Sequence, residues 1–350
     1  KNAFGGVCFM EWDEDIRLRK AAALRKYRKK LAEEIAFYCF QQYLFAKQWK
    51  ELKAYANKKG IEIVGDIPIY VAFDSADTWA NPKLFQLDKE GRPIGVAGCP
   101  PDCFSETGQL WGNPLYDWKY HKKTGYEWWM QRIAYCYQLY DVLRIDHFRG
   151  FEEYWFVPYG DPTAENGHWE KGPGYELFDV MKKKLGRKKV IAEDLGFLTP
   201  SVIRLVKKTG YPGMKILQFA FDAGSDSEYL PHNYTPNSVV YTGTHDNETL
   251  MQYLECTEEH VRNHIREYMN RPHASNEELC ENLIWMAMSS VGKYCMIPLQ
   301  DYLGLGKEAR MNYPSTLGHN WEWRVRKEQL THDLASYIAH MTGLSYRWRI

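Results

Sequence analysis

The chain has 350 residues, enough for a sizeable core, and that length suits either two or three domains or a single α/β barrel. Lys plus Arg and Asp plus Glu balance at 45 each, which excludes a bulk electrostatic pull toward nucleic acid or an anionic membrane and points to a neutral partner. No apolar stretch approaches the ~20 residues of a membrane span, no signal-peptide pattern opens the chain, and the eight cysteines contain no Cys-x-x-Cys pair, so a cytoplasmic protein with free thiols is expected. The nearest pair, Cys99 and Cys103, lacks a second Cys/His pair at zinc-finger distance, and no metal site is predicted. Aromatic residues make up 15%, with 13 Trp and 25 Tyr; most belong to packing, but flat rings with a polar handle also suit the C–H faces of sugars.

From about Asp15 to Lys59 the chain is rich in Ala, Leu, Glu, Lys and Arg, and Leu31, Ile35, Tyr38, Phe45, Trp49 and Leu52 recur at helical spacing. Lys58 and Lys59 fall in the last turn and Gly60 stops the helix. The segment 61–71 follows as a buried strand carrying Asp66 in its C-terminal half. Residues 72 to about 125, crowded with Gly, Pro, Asp and rings, break the rhythm and are predicted to be a long substrate-covering loop. A helix over 127–139, a strand ending at Asp146, a second polar loop over 157–173 and a helix over 175–185 come next. A strand ends at Glu193, and Thr199 caps a helix with Pro200 at its first position and Gly210 beyond its end. A strand over 215–222, another ending at Asp246, helices between about 257 and 290 and a strand over 293–300 complete the series.

Six strands alternating with helices call for a parallel sheet. Closing a (β/α)₈ barrel needs eight, so two N-terminal strands are expected to be missing from a chain that begins at Lys1 with a helix. The alternative is a doubly wound open sheet, although no G-x-G-x-x-G turn follows any strand. On the barrel reading, residues 1–350 form one catalytic domain with insertions at about 72–125 and 157–173.

Three of the strands end in carboxylates, Asp146, Glu193 and Asp246, and the C-terminal strand ends of a barrel form its catalytic face. Retaining glycosidases use one carboxylate as nucleophile and a second as general acid/base, set ~5–5.5 Å apart, and a third fixed charge steadies the oxocarbenium-like transition state. Strand alternation puts Arg144 on the same face as Asp146, where it offers a charge-assisted hydrogen bond. The pattern alone does not distribute the roles among the three acids.

Arg144-Ile-Asp146-His-Phe-Arg-Gly, Ile191-Ala-Glu193-Asp-Leu-Gly and Gly243-Thr-His245-Asp246-Asn, in that order, resemble the 4-α-glucanotransferases known as amylomaltases or disproportionating enzymes. The match takes in Gly65-Asp66-Ile-Pro-Ile-Tyr-Val, Phe104-Ser-Glu-Thr-Gly-Gln-Leu-Trp-Gly-Asn-Pro and Ala309-Arg-Met-Asn312-Tyr-Pro-Ser, and covers essentially the whole chain. The resemblance implies a (β/α)₈ barrel, an α-1,4-glucan or maltooligosaccharide as donor and acceptor, and no cofactor. It makes Asp146 the nucleophile, Glu193 the acid/base and Asp246 the transition-state stabiliser. Arg144 and His245 would contact the nucleophile or donor sugar. Asp66, Asp102, Gln109, Trp111, Asp222 and Asn312 would line the glucan groove, with Phe104 on the loop over the acceptor side. Cys103 departs from the Gly or Tyr expected before Phe-Ser, and the family's chains run further at the N-terminus. A glucan hydrolase using the same trio and an inactive glucan-binding fragment are the competing expectations.

Overall fold

The computed structural model describes residues 1–348 except 102–104, 197, 223, 225 and 315. The chain divides into two compact units, 1–211 and 212–350. Among the described residues the strands, in chain order, are β1 (Val64–Ile67), β2 (Gly95–Cys99), β3 (Gln109–Pro114), β4 (Val142–Ile145), β5 (Glu153–Pro158), β6 (His168–Lys171), β7 (Val190–Ala192), β8 (Gly213–Ile216), β9 (Ser238–Tyr241) and β10 (Tyr294–Met296).

In the first unit β1, β4 and β7 form a parallel sheet with β4 at its centre. Every residue of β4 and β7 is buried, as their Val/Ile-rich composition requires of strands covered on both faces. Pro68 has no N–H to extend the ladder beyond Ile67, so β1 is shorter than the strand expected over 61–71. In the second unit β8, β9 and β10 form another parallel sheet with β9 central and wholly buried. All six strands expected from the alternation are therefore present and parallel.

The stretch expected as a long loop is built instead. It holds β2 and β3, which join β5 and β6 in a four-stranded antiparallel sheet of order β3-β2-β5-β6. The second polar loop supplies β6. These strands escape a periodicity test because β2 is buried along most of its length and a register shift between Val96 and Gly98 breaks the alternation. A Cβ on Gly98 would sit 2.3 Å from the Gln109 carbonyl oxygen, so the close approach of β2 and β3 requires glycine there.

The helices expected over 127–139, 175–185 and 200–209 form as Glu127–Leu139, Tyr175–Leu185 and Pro200–Thr209. The Thr199 side chain caps the last by accepting from Val202 N, and Gly210 ends it at φ +72°. The long N-terminal helix is three pieces, Glu14–Arg17, Ala21–Lys30 and Ala32–Lys58. The last has helical apolar spacing yet no buried residue; Tyr38 is 55% exposed and Leu52 54%. Spacing specified the helix, while burial depends on what faces it. Its attachment runs through Trp49, whose Nε1 donates to Leu139 O at 2.8 Å, and Lys53, whose Nζ donates to Tyr140 O at 2.9 Å.

The core of the first unit lies between that parallel sheet and its helices, where Trp129 is fully buried amid Tyr116, Trp128 and Phe151 with ring centroids 5.5, 5.5 and 5.2 Å away. The second unit packs Val240, Leu250, Leu254, Leu279 and Leu283 together. Trp129→Ala is expected to cost about 3–5 kcal/mol, because a large cavity opens in a ring cluster that cannot collapse. Trp129→Phe is expected to cost less than half as much, since most of the volume stays and Nε1, which has no hydrogen-bond partner among the described residues, is removed. Chemical denaturation followed by circular dichroism checks both, and equal midpoints for Trp129→Ala and the parent would contradict the packing argument.

Candidate active site

Two acids are brought together by strand register. Ile67 pairs with Ile145, and Ile145 with Ala192, so the next residues on β4 and β7, Asp146 and Glu193, leave the ladder side by side at its C-terminal end. The ladder persists one bond further: Asp146 N donates to Ile67 O at 3.0 Å and Glu193 N to Ile145 O at 3.1 Å. Register also places Asp66 opposite Arg144. Arg144 is 8% exposed, and its guanidinium lies 2.5 Å from Asp66 Oδ2 and 2.9 Å from Asp146 Oδ1 through Nη1. A buried cation needs such partners, and the contact fixes the orientation of the Asp146 carboxylate.

Glu193 is in a different electrostatic position. Burial, and then the negative charge of Asp146, push its carboxyl up to about 7, against the opposing pull of Arg144 and of two backbone N–H groups. Those groups are Leu195 N, which donates to Oε1 at 2.7 Å, and His147 N, which donates to Oε2 at 2.7 Å. His147 aims its N–H this way by adopting a left-handed φ of 50° immediately after Asp146, a conformation uncommon for a non-glycine residue and a form of local strain found at functional sites. Its imidazole is half-buried, and burial followed by the nearby charge of Arg149 drives it down to about 3, so the ring is neutral near pH 7. From the sequence alone His147 reads as a buttress of the strand end; its contribution is a backbone conformation, which side-chain chemistry does not announce.

Trp111 on β3 meets the His147 ring edge-on at 4.8 Å and an interplanar angle of 88°. Its Nε1 donates to Gln109 Oε1 at 3.1 Å, so Gln109 orients the indole. The antiparallel sheet thus carries two of the expected sugar-contacting residues, with Trp111 against His147, the residue after Asp146. Asp102 and Phe104, and Cys103 between them, lie outside the described residues.

The second unit carries the third acid. β9 ends at Tyr241, and Asp246 sits in the turn that follows, five residues on, rather than at the strand end expected. Gly243 and the Thr244–Asn247 contacts explain the early stop: Thr244 N and Oγ1 both donate to Asn247 Oδ1 at 2.9 Å, closing a side-chain turn that competes with the ladder. Asn312 Nδ2 donates to Asp246 Oδ1 at 2.7 Å, and His245 Nε2 lies 3.4 Å from Asp246 Oδ2. Arg310 Nη2 donates to the Asp246 carbonyl at 3.1 Å and Nε to the Asn312 carbonyl at 3.0 Å, locking the two residues together. The Trp321 ring packs on His245 at 5.0 Å. Arg310 and Trp321 are additions to the expected set; Arg310 was within reach of sequence reasoning, two residues before Asn312.

Asp222 is placed differently. The strand expected over 215–222 spans Gly213–Ile216 and then tightens into a 3₁₀ turn at Leu217–Phe219. The side chain of Asp222 is 77% exposed and faces His260 Nε2 at 3.9 Å. Among the described residues no group of three or more His, Cys, Asp or Glu is arranged to hold a metal ion.

A sequence profile of the family described as 4-alpha-glucanotransferase, glycoside hydrolase family 77, matches residues 1–331. The 4-alpha-glucanotransferase of Clostridium butyricum is 51% identical over 346 residues, which span 98% of this chain and 71% of that protein. That of Thermus thermophilus is 45% identical over 352 residues, 99% of this chain and 70% of the relative. Among solved structures, the amylomaltase from Streptococcus agalactiae in complex with acarbose superposes with a TM-score of 0.95 at 43% identity, covering 100% of this chain and 70% of that one. An amylomaltase from Corynebacterium glutamicum, 20% identical with a TM-score of 0.71 over 90% of this chain and 50% of its own, shares the fold. The fold class is the TIM-barrel fold of these proteins, and the chain belongs to the 4-alpha-glucanotransferase family, glycoside hydrolase family 77.

Proposed function

We propose that residues 1–350 act as one catalytic barrel, with the segments 72–125 and 157–173 inserted, in which Asp146, Glu193 and Asp246 share the chemistry. The enzyme is a retaining 4-α-glucanotransferase acting on α-1,4-glucans and maltooligosaccharides. The observation that carries the division of roles is the contrast between neighbouring acids: Asp146 accepts a guanidinium, while Glu193 holds its proton to about pH 7.

Asp146 attacks the anomeric carbon as Glu193 gives its proton to the departing glycosidic oxygen. Glu193, now ionised, takes the proton from the 4-hydroxyl of a second glucan as that hydroxyl displaces Asp146, so the configuration is retained and the acid is restored. Asp246, held by Asn312 and Arg310, supplies fixed negative charge to the oxocarbenium-like sugar. Arg144 and His245 hold the donor sugar and its nucleophile, and Asp66, Asp102, Phe104, Gln109, Trp111, Asp222 and Asn312 line the glucan path. Among the described residues no helix is long and apolar enough to cross a membrane. The scattered cysteines, with no Cys-x-x-Cys pair, support a cytoplasmic location.

Asp146→Asn is expected to lower turnover of maltotriose by at least ~10³-fold, as loss of a covalent nucleophile does. For the parent, glucose plus oligomers longer than maltotriose are the expected products; only shorter sugars would mean hydrolysis. The pH dependence has a definite sign. Glu193 must be protonated for the first step, so kcat/KM is expected to fall as pH rises through about 7, and this limb should vanish in Glu193→Ala assayed with a donor whose leaving group needs no protonation. Because the folded value lies above the ordinary 4.5, ionising Glu193 costs stability, a cost absent below about pH 4.5 and complete above about 7.

A further inference from the structure

One buried acid takes no part in the chemistry above. Asp301, in the short helix Leu299–Tyr302, is 2% exposed. Its Oδ2 accepts from Thr242 Oγ1 at 2.6 Å and its Oδ1 from Leu250 N at 2.8 Å. Thr242 is the first residue after β9, and Leu250 is the first residue of the helix Leu250–Cys256. One carboxylate therefore spans the two ends of the turn that carries His245 and Asp246.

We infer that Asp301 is a positioning residue for transglycosylation, a clamp that sets the height and direction of the turn 242–250 and thereby of Asp246. The inference rests on the role proposed above for Asp246. A carboxylate is a costly way to fill space in a core, and burial pushes this one up to about 6 even with two hydrogen bonds pulling the other way. A fold that needed only volume here would be served by an aliphatic side chain. Both oxygens are directed at the turn, one at a side-chain hydroxyl and one at an otherwise orphaned helix N-terminal N–H.

The neighbouring residue acts on the other support of Asp246. Gln300 Nε2 donates to Ala309 O at 3.2 Å, immediately before Arg310, which holds the Asp246 carbonyl. A cavity of about 230 Å³ remains among Thr244, His245, Asp301, Arg310 and Trp321, so the turn is not wedged in place by close packing alone. Gln218 Nε2 adds one bond to Glu248 O at 2.8 Å, at the far side of Asp246. Without the clamp, the turn has room to shift into that cavity.

The test compares parent, Asp301→Ala, Asp301→Asn, Thr242→Val and Asp246→Asn as full chains, measuring kcat and KM for maltotriose, thermal unfolding, and inhibition by acarbose. Misplacement of a charge that acts in the transition state lowers kcat, so Asp301→Ala should lose ~10–100-fold in kcat with KM within about 3-fold of the parent. Acarbose, bound in the Streptococcus agalactiae complex, should weaken by a factor that follows kcat/KM. Asp301→Asn can accept from Leu250 N and donate to Thr242 Oγ1, so it should recover most of the lost turnover. Thr242→Val, which cuts one arm, should fall between.

A folded Asp301→Ala with kcat within about twofold of the parent would overturn the clamp, as would Asp301→Asn falling as far as Asp301→Ala. If Asp301→Ala does not fold, Thr242→Val decides: normal kcat and acarbose inhibition refute the inference, and a kcat loss with KM held supports it. Normal turnover by Asp246→Asn sinks the role assigned to Asp246, and the clamp with it. An inactive Asp246→Asn beside normal Thr242→Val and Asp301→Ala sinks the clamp alone.

Discussion

The buried guanidinium of Arg144 organises the strand ends of the first unit. Arg144 sits on the central strand of a parallel sheet, with Asp66 across the register on one side and Asp146 two residues ahead on its own face. Desolvating that cation is costly, and the two carboxylates recover the cost only while β1 and β4 stay in register. The ion pair, the strand pairing and the orientation of the Asp146 carboxylate are thus one constraint. Glu193 enters as a further acid in the same neighbourhood, where it feels burial and the charge of Asp146 more strongly than the attraction of Arg144. Burial and, after it, the crowding of acids around one cation push the Glu193 carboxyl up to about 7.

The second unit solves a different problem by different means. The Asp246 carboxylate lies against an amide, Asn312, and an imidazole, His245. Arg310 is directed at the backbone carbonyl of Asp246 and at Glu248. The cation therefore fixes the peptide and leaves the carboxylate to weaker partners, in contrast to Arg144 and Asp146. A turn holds such a group less firmly than a strand end does, which gives the surrounding network of Asp301, Gln300, Gln218 and Arg310 its significance.

Much of this was legible in the chain. β4, β7 and β9 announce themselves as short β-branched runs, and Thr199-Pro200 and Gly210 bracket a helix as capping chemistry demands. Asp146 and Glu193 could be placed because a parallel strand delivers its last side chains to a common end. The failures have physical causes too. β2 carries two glycines and is shifted in register against β3, so alternation could not reveal the pair, and a side-chain turn at Thr244–Asn247 ends β9 five residues before Asp246. Asp222 looked like a strand-end acid because Ile216-Leu-Gln-Phe continues an apolar run that the backbone turns into 3₁₀ geometry.

Local sequence determined the alternation of elements, the order of the three acids and, through motif and order together, the family. These depend on near-neighbour chemistry: side-chain periodicity, capping and turn propensity. Tertiary structure decided how each acid is held and what field it feels. The raised Glu193 carboxyl, the bond from His147 N to Glu193, the Asp66–Arg144 pair and the span of Asp301 across its turn all arise between residues dozens of positions apart, where burial and register set the local field. A carboxylate has one chemistry in the sequence; its role comes from the desolvation and neighbouring charges that only the folded chain creates.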